Sequence, residues 1–575
     1  MVESALDDTR RPAGAATRAH RSATGGTTIP ILRRRLGAGA DRGASGGYRV
    51  LLTDSVIYGS GRALQKLLVA VLLPLYTAFL SKADYGILGM VVATTTFLDI
   101  FVSLGFDVTF SRFYFADTTP GGRRKVVTNV FWVSSVYPAV LLGLIGMLTP
   151  WWAPVLLGAE YSEGDWRYFA VALLTLFFTN LNDLPFVLFR LEHRPWVFTA
   201  YTVARIAVQI PLSIVFVAVF RWGAMGVLLA NLFTAVALQV GMLPTYVRKL
   251  DPLPDRALMR PMIAFAIPAM FTAISFYWLK FSDRFFLLRY QGKEEVGLYT
   301  VANALAQPLY LVLTAFRMAW PQWHYARLDD PVEHRRIVAR SSTYFLALNA
   351  LLVVVLGATL PLICHVLLDG KYWSIAPVTF VLTLSIALYA VYTVFWVGAN
   401  VAMKNRMIPL FVLVSSGVNI GLNFLLVPRY GMWAAAWTTV IGYAILAVTI
   451  YFYSERYYHI PFEWRRLATV LGATALSLAG IGLTMLLTGL ATAMPLGDLV
   501  LATAATLPAM ALFPATLVVG GFFTPGERRR LRQAWDRVRR RAAPAAPAEE
   551  SAHEEVADIE TQAALEAGDK GSLAP

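Results

Sequence analysis

The chain has 575 residues and a formal net charge of +14, yet 57% of its residues are hydrophobic and only 15% are charged. A soluble domain is closer to about 45–50% apolar and about 25% charged. This composition excludes an ordinary soluble globular protein and predicts an all-α, polytopic membrane protein. No basic patch is interleaved with aromatic residues on a soluble element, so we expect no nucleic-acid partner.

About 14 apolar segments are long enough to cross a bilayer core, which takes roughly 20 residues of helix. The connections between them are short, which predicts that neighbouring helices run antiparallel. In chain order the predicted spans cover residues 52–80, 87–113, 126–148, 167–190, 197–220, 224–246, 262–288, 299–323, 341–367, 375–402, 407–427, 431–453, 467–489 and 497–522.

The basic residues of the connections alternate from one side of the predicted membrane to the other. The tails and the even-numbered loops are rich in Arg and Lys, as at Arg123–Lys125 and Arg528–Arg530. The odd-numbered loops hold little more than single basic residues such as Lys82 and Lys371. Because cytoplasmic loops carry the excess of Lys and Arg, the pattern predicts that both termini are cytoplasmic.

Two sequence landmarks recur at nearly one spacing, which indicates an internal repeat. Gly86 and Gly297 follow the first and seventh spans and lie 211 positions apart. Gly223 and Gly431 precede the sixth and twelfth spans and lie 208 positions apart. Six helices is an even number, so the two halves insert with the same orientation, and a parallel repeat of this kind predicts a cavity between the halves.

The repeat and the composition together predict five regions. We expect a disordered basic cytoplasmic tail at 1–50, an N-terminal six-helix bundle at 51–250, a C-terminal six-helix bundle at 251–458, two additional transmembrane helices at 459–525, and a cytoplasmic tail, basic and then acidic, at 526–575.

Several predicted spans carry ionisable residues near their middles. Such a residue costs about 2.5–3.5 kcal/mol at the bilayer centre, so these residues predict a polar interior, which is typical of a transport path. The charged candidates are Arg62, Lys66, Asp99, Arg205, Lys280 and Asp283, and the polar ones, which precede Pro185 on the fourth span, are Asn180, Asn182 and Asp183. Asp107, Arg112 and Arg317 lie nearer the cytoplasmic ends, and we interpret them as interfacial groups.

The sequence contains no catalytic motif. Cys364 is the only cysteine, the histidines fall in tails, loops or near span ends, and no metal-ligand spacing, nucleophile motif or Walker motif is present. We therefore expect a protein that is not an enzyme, has no cofactor and has no intrinsic ATPase. Any driving energy must come from an ion gradient or from removal of the product.

Three motifs carry a family resemblance that covers about residues 50–455. Leu73-Pro74-Leu75-Tyr76-Thr77 with Tyr85-Gly86 resembles the first helix and loop of bacterial polysaccharide-unit flippases, in the multidrug/oligosaccharidyl-lipid/polysaccharide exporter superfamily. The start of their second half is similar to Phe265-Ala266-Ile267-Pro268, Ser282-Asp283-Arg284-Phe285-Phe286-Leu287, Gly292 and Val296-Gly297-Leu298-Tyr299. Their eleventh-to-twelfth turn is similar to Val427-Pro428-Arg429-Tyr430-Gly431-Met432-Trp433-Ala434-Ala435.

The resemblance implies a function. The chain is expected to move undecaprenyl-diphosphate-linked oligosaccharides outward across the bacterial cytoplasmic membrane by alternating access, for O-antigen, capsule or exopolysaccharide synthesis. Membrane lipids are expected to contact it, and a polysaccharide polymerase and chain-length machinery are further partners that the resemblance suggests. Two alternatives stay open: an exporter of drugs or of the peptidoglycan precursor in the same superfamily, and a membrane polysaccharide polymerase or ligase.

For such a cargo the candidate cations compensate a diphosphate. Arg62 and Lys66 are four positions apart and project from one helical face, while Arg205 and Lys280 add cations from both halves. Asp99 and Asp283 either balance these cations or bind a coupling proton or sodium ion. The pairs Arg62–Asp99 and Lys280–Asp283 have an alternative role as structural ion pairs. Asn180 and Asn182 either meet sugar hydroxyls or satisfy backbone groups that Pro185 frees.

Overall fold

A computed structural model describes residues 71–117, 119–325, 328–489 and 495–529 of the chain. These residues form helices joined by short connections, as the composition predicts. The helices are α1 (described over 71–79), α2 (Lys82–Ser103), α3 (Phe106–Ala116), α4 (Pro120–Met147), α5 (Thr149–Leu157), α6 (Trp166–Leu191), α7 (Pro195–Ser213), α8 (Gly223–Tyr246), α9 (Arg256–Gln291), α10 (Lys293–Tyr325), α11 (Pro331–Leu367), α12 (Ala376–Val401), α13 (Ile408–Tyr457), α14 (Trp464–Leu487), α15 (Leu496–Ala505) and α16 (Leu507–Val519).

The described residues contain 12 helical segments that are long and apolar enough to cross a membrane. One of them, Asn405–Tyr457, holds two of the predicted spans, because Gly431 interrupts α13 with φ 52° and ψ −135°. The two parts of α13 run antiparallel, since Thr438 donates a 2.6 Å hydrogen bond to Asn423 across the turn. The chain is thus a multi-pass, all-helical membrane protein, and the described part of the predicted span 52–80 is α1.

Two predicted spans are broken into two helices each. Span 87–113 is interrupted at Leu104 and Gly105, which both adopt positive φ, and therefore forms α2 and α3. Span 497–522 forms α15 and α16, because Pro508 follows the break at Thr506 and supplies no backbone N–H. A hydropathy profile does not show either break, because the residues around both breaks are apolar.

The landmarks of the sequence repeat occupy equivalent positions in space. Asp84, in the first turn of α2, accepts a 3.1 Å hydrogen bond from the backbone N–H of Ala224 at the start of α8. Glu295, in the first turn of α10, accepts a 3.1 Å hydrogen bond from the backbone N–H of Met432. In each case a carboxylate binds the N-terminal end of another helix, where its charge is favourable. The residues before these N–H groups, Gly223 and Gly431, both have positive φ.

We call α1–α8 the first helix group and α9–α13 the second. Buried residues of both groups share one hydrophobic core at the end of the molecule where α2 and α10 begin. There Lys293 of α10 forms a buried 2.8 Å ion pair with Asp165, and its backbone N–H donates to Glu160. At the opposite end, Asp255 forms an ion pair with Lys125 of α4, in which the Lys125 Nζ and an Asp255 carboxylate oxygen are 3.1 Å apart. The two groups are therefore joined at both ends.

The remaining helices, α14–α16, attach to the second group through α11. Val354 and Ala358 of α11 pack with apolar residues of α14 and α16. Beyond α16, Glu527 binds both Arg340 of α11 and Arg466 of α14, the latter at 3.0 Å. Their attachment is thus both apolar and ionic.

Candidate functional site

The second helix group encloses a polar cavity of about 140 Å³ around Lys280. Phe276, Lys280 and Asp283 are three and four positions apart on α9, so their side chains share one face of the helix. We call this space the Lys280 cavity. Its other lining residues are Asn303, Gln307, Tyr310, Ser385, Ile386, Tyr389, Thr439 and Tyr443.

Asp283 is held by three donors within its own group. It is only 2% exposed, and it accepts hydrogen bonds from the Tyr299 hydroxyl, from the backbone N–H of Arg284 at 2.8 Å and from the Arg284 guanidinium at 3.4 Å. Arg284 is itself 4% exposed, so this is a buried ion pair. Lys280, in contrast, is exposed, and its ammonium lies 5.4 Å and 5.5 Å from the ring centres of Phe281 and Tyr310. The two expected site residues of α9 therefore have different surroundings, one buried and neutralised, the other accessible.

A second cavity, of about 250 Å³, lies beside the first and contains Arg317. We call it the Arg317 cavity; it shares Phe276 and Tyr389 with the Lys280 cavity. Arg317 donates a 2.7 Å hydrogen bond to the hydroxyl of Tyr389. Tyr389 also stacks on Tyr310, with ring centres 6.0 Å apart and planes 3° from parallel. A tyrosine pair thus stands between two cationic cavities.

Arg317, which the sequence places near the cytoplasmic end of its span as an interfacial group, also lines a cavity, and the sequence analysis did not predict that cavity. A signal for it exists in the sequence, because Asn303, Gln307, Tyr310 and Arg317 lie at helical spacing along one face of an otherwise apolar segment. Such a polar stripe through a membrane helix predicts a cavity-facing surface. What the sequence does not show is the partner, Tyr389, which lies 72 positions away.

The first helix group encloses a cavity of about 210 Å³, which we call the Arg205 cavity. Arg205 of α7 lines it together with Asn182 and Asp183 of α6. Gln209 of α7 donates a 2.6 Å hydrogen bond to Asn231 of α8 in its wall. Its other lining residues are Thr175, Thr179, Phe186, Thr234, Ala235 and Leu238.

The two asparagines of α6 bridge neighbouring helices. Asn180 donates its amide to the carbonyl of Ser134 on α4 at 2.9 Å, and Asn182 donates to the carbonyl of Ala235 on α8 at 3.0 Å. This role differs from the compensation of Pro185 that the sequence suggested as one alternative. The Asn182 Oδ1 atom is buried and has no hydrogen-bond partner among the described residues, so it can accept one from a ligand hydroxyl or water in the Arg205 cavity.

The other three expected charged site residues are Arg62, Lys66 and Asp99. Arg62 and Lys66 lie outside the described residues. Asp99 lies half-buried on α2. The Arg62–Asp99 pair and the cavity between the halves therefore stay predictions, whereas the three described cavities lie within the helix groups.

The comparisons with known proteins concern family and fold. Residues 51–321 match the family model described as polysaccharide biosynthesis protein. The fold is similar to that of the lipid II flippase MurJ in an inward closed conformation, with TM-score 0.63 and 13% identity over 81% of this chain and 98% of that chain. No curated protein sequence matches the chain.

Two structures of a multidrug resistance MATE family transporter of the MOP superfamily are also similar. Its inward-facing conformation matches with TM-score 0.54 and 12% identity, over 70% of this chain and 97% of that chain. Its outward-facing conformation matches with TM-score 0.51 and 16% identity, over 71% of this chain and 94% of that chain. Both likenesses concern the fold alone. The family resemblance seen in the sequence is confirmed by the match of residues 51–321 to the polysaccharide biosynthesis protein model, and the fold is similar to that of the MurJ and MATE structures.

Proposed function

We propose that the protein is a flippase that moves undecaprenyl-diphosphate-linked oligosaccharides across the bacterial cytoplasmic membrane by alternating access. The observation that carries the proposal is that cations line polar cavities in both helix groups, Arg205 in the first and Lys280 in the second. A diphosphate needs such cations, because Coulomb attraction is several times stronger in a low-dielectric interior than in water. The family match to polysaccharide biosynthesis proteins supports a sugar-bearing cargo.

The proposed direction of transport follows from the positions of the basic loops. With both tails and the even-numbered loops in the cytoplasm, substrate enters from the leaflet in which lipid-linked sugars are assembled and leaves on the opposite side. The six-helix bundles at 51–250 and 251–458 are the moving bodies of this proposal. A polymerase and chain-length machinery on the outer side are the proposed consumers of the product.

The side chains of the cavities suit this cargo in distinct ways. Lys280 and Arg205 offer cations to phosphate oxygens, while Asn303, Gln307 and Asn182 offer amides to sugar hydroxyls. The stacked pair Tyr310–Tyr389 adds an aromatic surface. The Lys280 cavity does not favour a drug-like cationic cargo, since its accessible charge is that of Lys280, while its carboxylate, Asp283, is buried and paired with Arg284.

The test is a flipping assay in proteoliposomes with a fluorescent undecaprenyl-diphosphate oligosaccharide. We expect the wild type to flip it, and Lys280→Ala and Arg205→Ala to flip it at least about tenfold more slowly, which is roughly 1.4 kcal/mol of transition-state stabilisation. Arg429→Ala, an exposed cation at the helix turn before Gly431, is the matched control and is expected to match the wild type. Wild-type flipping of the peptidoglycan precursor or of a cationic dye instead would replace the proposal by one of its alternatives.

A further inference from the structure

We propose that the Arg317 cavity is a phosphate-binding site that receives the diphosphate of a polyprenyl-linked substrate before it reaches the Lys280 cavity. This inference rests on the proposed function, and it adds a second cation site to it. The expected ligand is a phosphate ester carried on a lipid. The same chemistry occurs in polyprenyl diphosphates and in phospholipid headgroups, so the test below separates the two.

The Arg317 cavity carries a positive charge. Among the described residues that line it, Arg317 is the charged one. Its hydrogen bond to Tyr389 uses one of the five N–H donors of a guanidinium, and its side chain is exposed. Arginine presents these donors as a planar fork that matches phosphate oxygens in pairs.

A second source of positive potential is the N-terminal end of α13. Ile408 and Pro409, the first residues of this helix, line the same cavity. Proline has no N–H, and the Ile408 N–H donates to the Asn405 carbonyl, so this helix end acts on an anion through the positive end of its dipole. Arg317 and this helix end thus flank the same space of about 250 Å³.

The depth of the cavity fits the phosphates of a lipid. The cavity reaches Asn405, in the connection between α12 and α13, which also carries Lys404 and Arg406. This connection is one of the basic loops that the charge pattern places in the cytoplasm. The phosphates of a polyprenyl-linked sugar lie between its apolar tail and its hydrated head, which is the level of the membrane surface.

The cavity also leads to the interior site. Phe276 and Tyr389 are common to the walls of both cavities, and Tyr389 is bonded to Arg317 and stacked on Tyr310. Tyr310 in turn lies under the Lys280 ammonium. A diphosphate bound to Arg317 would replace the Tyr389 hydroxyl as its partner. Tyr389, which stands between the two cavities, would then lose this hydrogen bond and could move aside, opening a path for the diphosphate towards Lys280.

The test measures equilibrium binding of farnesyl diphosphate to the purified full-length protein in neutral detergent. We expect Arg317→Ala to weaken binding at least tenfold and Arg317→Lys to restore part of it, because a point charge replaces the fork. Tyr389→Phe, which removes the hydroxyl bonded to Arg317, is expected to bind at least as tightly as the wild type. Arg429→Ala is the control and should bind as the wild type does.

The outcomes separate this inference from the proposed function. Unchanged farnesyl diphosphate binding by Arg317→Ala overturns the site, even if the wild type flips the lipid-linked oligosaccharide. Weakened binding by Arg317→Ala in a protein that flips no such oligosaccharide upholds the site and overturns the proposed function. Displacement of farnesyl diphosphate by equimolar short-chain phosphatidylglycerol assigns the site to phospholipid headgroups and overturns its role in substrate uptake.

Discussion

Gly86 of α2 and Gly297 of α10 face each other where these two helices cross, and each lies against a backbone carbonyl of the other helix. A Cβ atom at Gly86 would lie 2.0 Å from the carbonyl oxygen of Lys293, and one at Gly297 would lie 1.9 Å from that of Lys82. The contact is reciprocal, because Lys82 and Lys293 precede the two glycines by the same four positions. Glycine is required at both positions for the backbones to approach this closely. The two helix groups therefore meet here about a local pseudo-twofold relation.

We predict that Gly297→Ala destabilises the conformation described here. The added methyl group has no room beside backbone atoms, and overpacking of this kind typically costs about 1–3 kcal/mol. Thermal unfolding in detergent should show a lower Tm for Gly297→Ala and for Gly86→Ala. Gly417→Ala is the control, since a Cβ there meets nothing within 4 Å. A Tm for Gly297→Ala equal to that of the control would show that the crossing is not close-packed.

The ion pair between Lys293 and Asp165 is predicted to hold the two helix groups together at this end. Both side chains are less than 10% exposed, at 9% and 8%, and the two charged atoms are 2.8 Å apart. Lys293→Ala leaves the Asp165 charge buried and unpaired, which typically costs about 3–5 kcal/mol. A double-mutant cycle with Lys293→Met and Asp165→Leu checks this prediction. We expect the double variant to be more stable than either single variant, and additive losses would contradict a direct pair.

Asp99 and Asp283 are the proposed ion-coupling residues. Because Asp283 is more deeply buried than Asp99, we predict that replacing each of them by asparagine has a different effect. Asp283→Asn leaves Arg284 buried without its carboxylate, so we expect a loss of stability of about 3 kcal/mol or more. Asp99→Asn, at a half-buried position, should keep the fold and lose the response of flipping to a proton gradient. Flipping with and without an imposed pH difference, together with Tm, distinguishes the two. If Asp99→Asn responds to the gradient as the wild type does, Asp99 is not the coupling site.

Stability is predicted to fall on acidification through His324, which lies beyond the membrane-spanning part of α10. Burial, and secondarily the neighbouring His334, lowers the pKa of His324 to about 4. An unfolded histidine has a pKa of about 6.5, so protonation below that pH favours the unfolded state until the folded state also titrates near pH 4. The free energy of unfolding should therefore decrease as the pH falls from about 6.5 to about 4.

The measurement is Tm against pH for the wild type and for His324→Gln. The variant has no group to titrate at this position, so its Tm should fall less between pH 7 and pH 5. His459→Gln, which replaces an exposed histidine, is the control and should keep the wild-type slope. A wild-type slope in His324→Gln would falsify the assignment.

The positions of the spans were predictable from the sequence, because insertion into a bilayer depends on the length and hydropathy of a segment, and both are local properties of the sequence. The same holds for the repeat, since Gly223 and Gly431 mark turns of positive φ that side chains disfavour. The breaks at Gly105 and Thr506 were not predictable from hydropathy, because they interrupt the backbone without changing the apolar composition.

The sequence by itself determined that this is a multi-pass membrane protein, and it predicted ionisable residues in the interior, of which Arg205, Lys280 and Asp283 line described cavities. Only the tertiary structure decided their partners: Asp283 with Tyr299 and Arg284, and Arg317 with Tyr389. The physical reason is that an ion pair or hydrogen bond forms within about 3 Å, whereas the rotation and tilt that bring two membrane helices into register are set by packing along their whole length. A charged residue in a span predicts a polar cavity, and the packing of distant helices determines which cavity that residue lines.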